Sequence, residues 1–322
     1  MSELFPNASR LGFGCASLGS RVGAQAGLNA LAAAFDYGIN WFDLAPAYGD
    51  GQAELLFASF ARSRRDRIHI CTKCGIAPPR ITGLAAVLRP MARAAVARFP
   101  GLRRIAARGR AEPQRLALTA GLIRSGLDAS LQRLGTDYVD VFVLHDPSIG
   151  DIGRDDVLRA LDDAIRSGKA RSVGVAGDFE AARAVLDLGL GWAHLQFPDS
   201  PGADELYRLR AEFASRLEKS YIVTHSIFAG LGERLTAGNS SELVAALNRA
   251  GYQMPLEDSL RAAALDRAFL NNPRGTVLLS MFAPRHLDFT VSRLRTGAKG
   301  NPRALTKLLA PGYDSTPADP TL

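Results

Sequence analysis

Long apolar runs are missing from this 322-residue chain. No stretch of about 18 consecutive apolar residues exists, the length a membrane-spanning helix needs. The opening MSELFPNASR has neither a basic leader nor an apolar core, which excludes a secretory signal peptide and points to a cytoplasmic protein. Cysteine is scarce: Cys15, Cys71 and Cys74 are too few for a disulfide scaffold. Lysine is scarce as well, five against 34 arginines, so lysine is not this chain's ordinary surface cation. Apolar residues (47%) and charged residues (22%) are close to the soluble average, which excludes wholesale disorder and collagen.

The net charge of +7 is unevenly placed. Nine arginines (80, 89, 93, 98, 103, 104, 108, 110 and 115) face one acid, Glu112, between residues 77 and 115, so this stretch carries +8 and the rest about −1. Within it Leu84, Val87, Leu88, Met91, Ala95 and Phe99 recur at helical spacing. A solvated arginine face on an amphipathic cover explains it, as do capture of an anionic substrate and docking on an acidic partner or an anionic membrane surface. Interleaved aromatics are absent apart from Phe99, so nucleic acid is not an expected partner.

Eight apolar segments of strand length, centred near 12, 41, 70, 141, 173, 194, 223 and 279, alternate with helical patterns. The helices are expected over 28–37, 52–62, 118–135, 154–167, 180–188, 203–218, 256–271 and 285–296. Strands separated by helices run parallel, and near-continuous apolar character fits burial on both faces. Eight such units predict a closed α/β barrel, a (β/α)8 TIM barrel, with an open doubly wound sheet as the alternative. The expected organisation is a barrel over 1–302 with an arginine-rich helical insertion at 77–116 after the third strand. A loosely ordered tail over 303–322 completes it, with three prolines after Leu309.

The active site of such a barrel lies at the C-terminal ends of its strands. Asp43 ends the second strand, Lys73 the third and His145 the fourth, while Tyr48 follows Asp43 in a loop with Gly and Pro. Singly, Asp43 reads as a turn cap, Tyr48 as a packed aromatic and His145 as a satisfied half-buried histidine. A lysine ending an apolar strand in a lysine-poor chain needs a buried partner, and Asp43 on the adjacent strand supplies one. Together they make a proton-donating site: Lys73 is expected to lower the Tyr48 pKa, Asp43 to hold Lys73, and His145 to orient a carbonyl oxygen.

Two further signals lead elsewhere. GFGCAS (12–17) begins like a dinucleotide turn but lacks the third glycine. CTKC (71–74) has redox or zinc spacing, yet one pair cannot make a four-ligand site, and strand alternation points the two thiols to opposite faces.

WFDLAPAYGDGQAE (41–54), HICTKCG (69–75), SLQRLGTDYVDVFVLHDP (130–147), RSGKARSVGVAGDF (166–179) and the Gln of HLQF (Gln196) resemble the aldo-keto reductases, in family order across roughly residues 11–296. The resemblance implies a (β/α)8 barrel reducing an aldehyde, ketone or sugar-like carbonyl with NADPH or NADH. Asp43, Tyr48, Lys73 and His145 would form the catalytic tetrad, with Tyr48 the proton donor and no metal. Gln196, His225, Ser226, Phe228, Gly230 and Arg285 would hold the coenzyme. The chain departs from the family at Ala176 and Gly177, where Ser-Asn is usual. It departs again over SMFAPRHLDFT (280–290), where an adenosine clamp is expected and Arg285 alone could meet a 2′-phosphate. These departures motivate the alternative of a catalytically weak, reductase-like binding or regulatory protein.

Overall fold

A computed structural model of the chain describes residues 5–78, 114–236 and 240–310. Eight strands follow one another in sequence: β1 (Leu11–Gly14), β2 (Trp41–Asp43), β3 (His69–Cys74), β4 (Val139–His145), β5 (Ala170–Ala176), β6 (His194–Pro198), β7 (Tyr221–His225) and β8 (Thr276–Leu279). Every neighbouring pair is parallel and β8 pairs with β1, so the sheet closes into a barrel in simple sequence order. Closure satisfies both edges of every strand and excludes the open-sheet alternative.

The connecting helices are α1 (Ala24–Asp36), α2 (Ala53–Ala61), α3 (Ala120–Leu134), α4 (Ile149–Ile152), α5 (Asp155–Arg166), α6 (Phe179–Asp187), α7 (Glu205–Leu217), α8 (Leu231–Thr236), α9 (Ser240–Arg249), α10 (Leu256–Asn271), α11 (Pro284–Thr296) and α12 (Pro302–Leu309). No helix among the described residues is long and apolar enough to cross a membrane.

Strand alternation sorts the core into two layers. Phe13, Phe42, Ile70, Phe142, Leu144 and Leu195 point outward into the shell between strands and helices. Trp41, Cys71, Val141, Val143, Tyr221, Val223 and Leu278 fill the barrel interior. Phe5 closes the floor, its ring edge-on to Tyr221 at 4.9 Å and to Trp41 at 5.2 Å. Gly12 is a packing glycine rather than part of a dinucleotide turn, since a Cβ there would sit 2.6 Å from Leu278 and Thr276. The same alternation separates the CxxC thiols: Cys71 belongs to the interior and Cys74 to the outer shell, both buried and free.

Buried charge ties the shell together. Glu54 of α2, 1% exposed, accepts from the Thr72 hydroxyl at 2.6 Å and pairs with Arg133 of α3 at 2.7 Å. Thr72 therefore anchors β3 from outside while Lys73, its neighbour, turns inward.

The expected loose tail is corrected over its first part. Residues 302–309 form α12, begun by Pro302 and capped by the Asn301 side chain. Leu305, Leu308 and Leu309 are buried in a second apolar cluster with α9 and α10. Arg267 donates to the Thr306 hydroxyl at 2.8 Å, and Arg234 to the Leu308 carbonyl at 3.1 Å. Residues 311–322 lie outside the described residues, as do 79–113, which hold the expected insertion helix and eight of the nine arginines. The flanks of that stretch are joined. Ile76 and Arg115 form an antiparallel bridge, Ala77 N donates to Gln114 O (2.9 Å), and Leu116 N donates to Gly75 O (2.8 Å).

Candidate active site

The C-terminal ends of the strands open into a cavity of about 1400 Å³ that reaches from Asp43, Tyr48, Lys73 and His145 to the first turn of α11. The four residues expected from sequence converge at its inner end. Lys73 is 1% exposed; its ammonium donates to Asp43 Oδ1 and, at 2.9 Å, to the Leu44 carbonyl. Tyr48 lies on the tight turn after β2, its ring centroid 4.9 Å from Lys73 Nζ. Its hydroxyl donates to Asp43 Oδ2 over a long 3.4 Å. The His145 ring stands edge-on to the phenol, with centroids 5.9 Å apart. Gly49 makes the turn possible: its φ is 59°, and a Cβ would fall 1.7 Å from the Leu18 carbonyl oxygen.

Electrostatics departs from the sequence expectation at one point. Burial pushes the Tyr48 phenol above its ordinary value; Lys73 pulls it down and Asp43 pushes it up. The net direction is upward, because removing a phenolate from water outweighs one ammonium whose charge is shared with a carboxylate. Tyr48 is therefore a neutral phenol that keeps its proton. Burial alone would lower Lys73, but the Asp43 carboxylate beside it more than offsets this and the ammonium stays charged. Burial, assisted by Lys73, holds His145 down at about 3, so its imidazole is neutral, and its Nδ1 is buried without a partner among the described residues.

Of the residues expected to hold a coenzyme, Gln196, His225, Ser226, Phe228 and Arg285 line the cavity. Gly230 does not; it precedes α8 with φ 78°. Ser226 adopts φ 60°, and His225 Nδ1 lies 2.9 Å from its hydroxyl. Arg285 stands in the first turn of α11, which holds no acid. Ala176 and Gly177 also line the cavity, and a Cβ at Gly177 would meet Ala181 at 3.3 Å and Pro147 at 3.5 Å.

Several lining residues escaped sequence reasoning. Asp146 directly follows β4 and Asp178 stands two places after β5, so the strand-end rule extended by one or two places would have found them. Asp146 has φ 49°, and its carboxylate lies 3.9 Å from Arg115, the one described arginine of the basic stretch. Glu257, Asp258 and Arg261 arrive from α10, far along the chain, and nothing local marks them.

A parallel eight-stranded barrel with a buried carboxylate–ammonium pair, a phenol and an imidazole at its C-terminal mouth defines a recognisable class of proteins. The family model described as the Aldo/keto reductase family matches residues 10–196, more than half of the chain. The chain belongs to that family. It is similar to a 6-dehydroglucose reductase of Agrobacterium fabrum, 32% identical over 142 residues, which cover 43% of this chain and 39% of that protein. A D-threo-aldose 1-dehydrogenase of Pseudomonas sp is 28% identical over 234 residues, covering 68% and 67%. For four of the curated relatives the match spans only 39–44% of their length. Among solved structures, an aldo-keto reductase from Klebsiella pneumoniae in complex with NADPH superimposes with a TM-score of 0.62 at 22% identity, covering 97% of this chain and 95% of that one.

Proposed function

We propose that this chain is an NAD(P)H-dependent oxidoreductase that reduces an aldehyde, ketone or sugar-like carbonyl to the alcohol, with Tyr48 as the proton donor. The observation that carries the reading is the convergence of Tyr48, Lys73, Asp43 and His145 at the inner end of one large cavity. Names of relatives that act on sugars favour the sugar-like end of the substrate range.

The residues present fit a dinucleotide coenzyme. The cavity exceeds the ~300–1,000 Å³ of an ordinary small-molecule pocket, leaving room for coenzyme and substrate together. Gln196 and His225 would hold the nicotinamide end. Ser226, Phe228 and Arg285 would hold the phosphates and the adenosine, with the acid-free N-terminus of α11 favouring anionic groups. Arg261 also faces this end but is paired with Glu257 at 2.5 Å. The proposal therefore favours NADPH, on Arg285, and admits NADH. Bound there, the nicotinamide supplies the hydride.

The chain's own residues supply the rest. Tyr48 enters the reaction protonated, and turning its hydroxyl from Asp43 toward the carbonyl oxygen gives up only one long hydrogen bond. As that oxygen gains charge it takes the phenol proton. Lys73, held charged by Asp43, then stabilises the phenolate left behind. His145 is neutral and offers the carbonyl oxygen a hydrogen bond without competing as an acid.

Tyr48→Phe tests the reading: carbonyl-dependent NADPH oxidation should fall by at least about a hundredfold, with coenzyme affinity unchanged by calorimetry. Undiminished turnover would remove Tyr48 from its role. A wild type that binds neither NADPH nor NADH would favour a reductase-like binding protein.

A further inference from the structure

Beneath the four catalytic candidates lies a second polar layer that the proposed chemistry does not use. His194 is fully buried on β6, two residues before Gln196 and on the same inward face. Its ring is parallel to the Trp41 indole, with centroids 5.7 Å apart and planes within 4°, and it lies 6.5 Å from the Tyr221 ring. Behind it, β5 leaves no slack: a Cβ at Gly174 would sit 1.8 Å from the His194 carbonyl oxygen. The imidazole is thus packed against two aromatic rings on one side and held through its backbone.

That ring addresses one atom. His194 Nε2 lies 3.5 Å from Gln196 Oε1, and Cys71 Sγ approaches the same oxygen at 4.0 Å. A thiol and an Nε2–H imidazole are both donors to a carbonyl oxygen. Turning the amide over would give Nε2 the lone pair and put the proton on Nδ1, which has no partner among the described residues. A buried N–H without an acceptor is the rarer defect. The oxygen-inward orientation leaves Nδ1 only an idle lone pair, and it turns the Gln196 amide nitrogen toward the cavity.

We propose that His194 is a positioning residue: with Cys71 it locks the Gln196 amide oxygen-inward, so that the cavity offers an NH2 donor and accepts a carbonyl oxygen of its ligand there. On the coenzyme reading above, that oxygen belongs to the nicotinamide carboxamide, and the inference rests on that reading for the ligand's identity. Burial holds the His194 pKa at about 4, so at neutral pH the ring has one N–H to give.

Two measurements test it. Long-range proton–nitrogen NMR on histidine-labelled wild type, assigned by difference with His194→Phe, should show a protonated Nε2 and a bare Nδ1. The opposite tautomer overturns the lock. NADPH is then titrated into wild type, His194→Phe, His194→Gln, Gln196→Met and the Phe–Met double variant. His194→Phe should weaken NADPH about three- to tenfold, the worth of one net hydrogen bond, and raise its KM more than it lowers kcat. His194→Gln, which keeps a donor at that reach, should restore most of the affinity. In the Gln196→Met background His194→Phe should have no further effect. Equal weakening in both backgrounds would mean a merely structural role and would sink the proposal. A wild type that binds neither NADPH nor NADH would remove the coenzyme reading, leaving the tautomer to decide the lock by itself.

Discussion

Lys73→Met removes the positive charge from an ion pair in which neither partner reaches water: Lys73 is 1% exposed and Asp43 is 3%. The variant fills much the same volume but leaves a carboxylate facing the barrel interior, with only the long bond from Tyr48 and the Cys71 thiol beside it among the described side chains. Breaking a buried pair from one side costs about 3–5 kcal/mol, because the surviving charge is stranded without solvent or counter-ion. Asp43→Asn strands the ammonium in the same way, although the Leu44 carbonyl still accepts from it. The double variant strands nothing. Its loss should therefore fall short of the sum of the single losses by at least about 2 kcal/mol, a coupling within the range for residues in direct contact. Urea unfolding followed by both tryptophan fluorescence and far-UV circular dichroism measures each loss where the two transitions coincide. Single losses under about 1 kcal/mol with no coupling are the behaviour of exposed pairs. They would refute the claim that Lys73 is locked and charged, and with it the account of how the phenolate is stabilised.

Acid should destabilise the fold before most carboxylates titrate. His145 and His194 have folded pKa values near 3 and 4, below the unfolded value near 6.5. Their stabilisation is complete above pH ~6.5 and is lost as pH falls toward those values, by up to about 1.4 kcal/mol per pH unit for each histidine. Urea midpoints at pH 7, 6 and 5 check this, and His194→Phe should flatten the slope; a flat wild-type profile would contradict the burial of both rings. Gly174→Ala should cost about 3 kcal/mol or more, since its Cβ must displace β6 at the His194 carbonyl. Gly121→Ala in α3 meets nothing nearer than 3.9 Å and should be neutral or stabilising by up to about 1 kcal/mol. Equal melting temperatures for the two would show that β5 and β6 are looser than their packing implies.

Much of the barrel was legible because its signals are local. Each of the eight expected strands is found, and α10 spans the residues that its spacing predicts. The tetrad was legible for a different reason: a barrel fixes where strand ends meet, so polar residues ending apolar strands had to converge. What escaped depended on tertiary context. α12 carries its signature in Asn301, Pro302 and the spacing of Leu305, Leu308 and Leu309, yet the prolines that follow masked it. The direction of the Tyr48 pKa turned on the depth of burial, which no motif states. His194 was invisible because its meaning depends on Trp41, Cys71 and Gln196 meeting inside a closed sheet.

The small clasp between residues 75–77 and 114–116 has a consequence for how such a barrel changes. Because the two flanks bond to each other, the chain leaves β3 and returns toward α3 through a single point, and the strand register is closed without reference to what lies between. That makes the junction a cassette port, where sequence can be lengthened, shortened or exchanged while the barrel keeps its frame. The port stands beside the end of β4: a Cβ at Gly75 would fall 2.7 Å from the His145 carbonyl oxygen, and Arg115 lies 3.9 Å from Asp146. An exchange at this one point therefore leaves the end of β4, and the His145 it carries, where the barrel itself sets them.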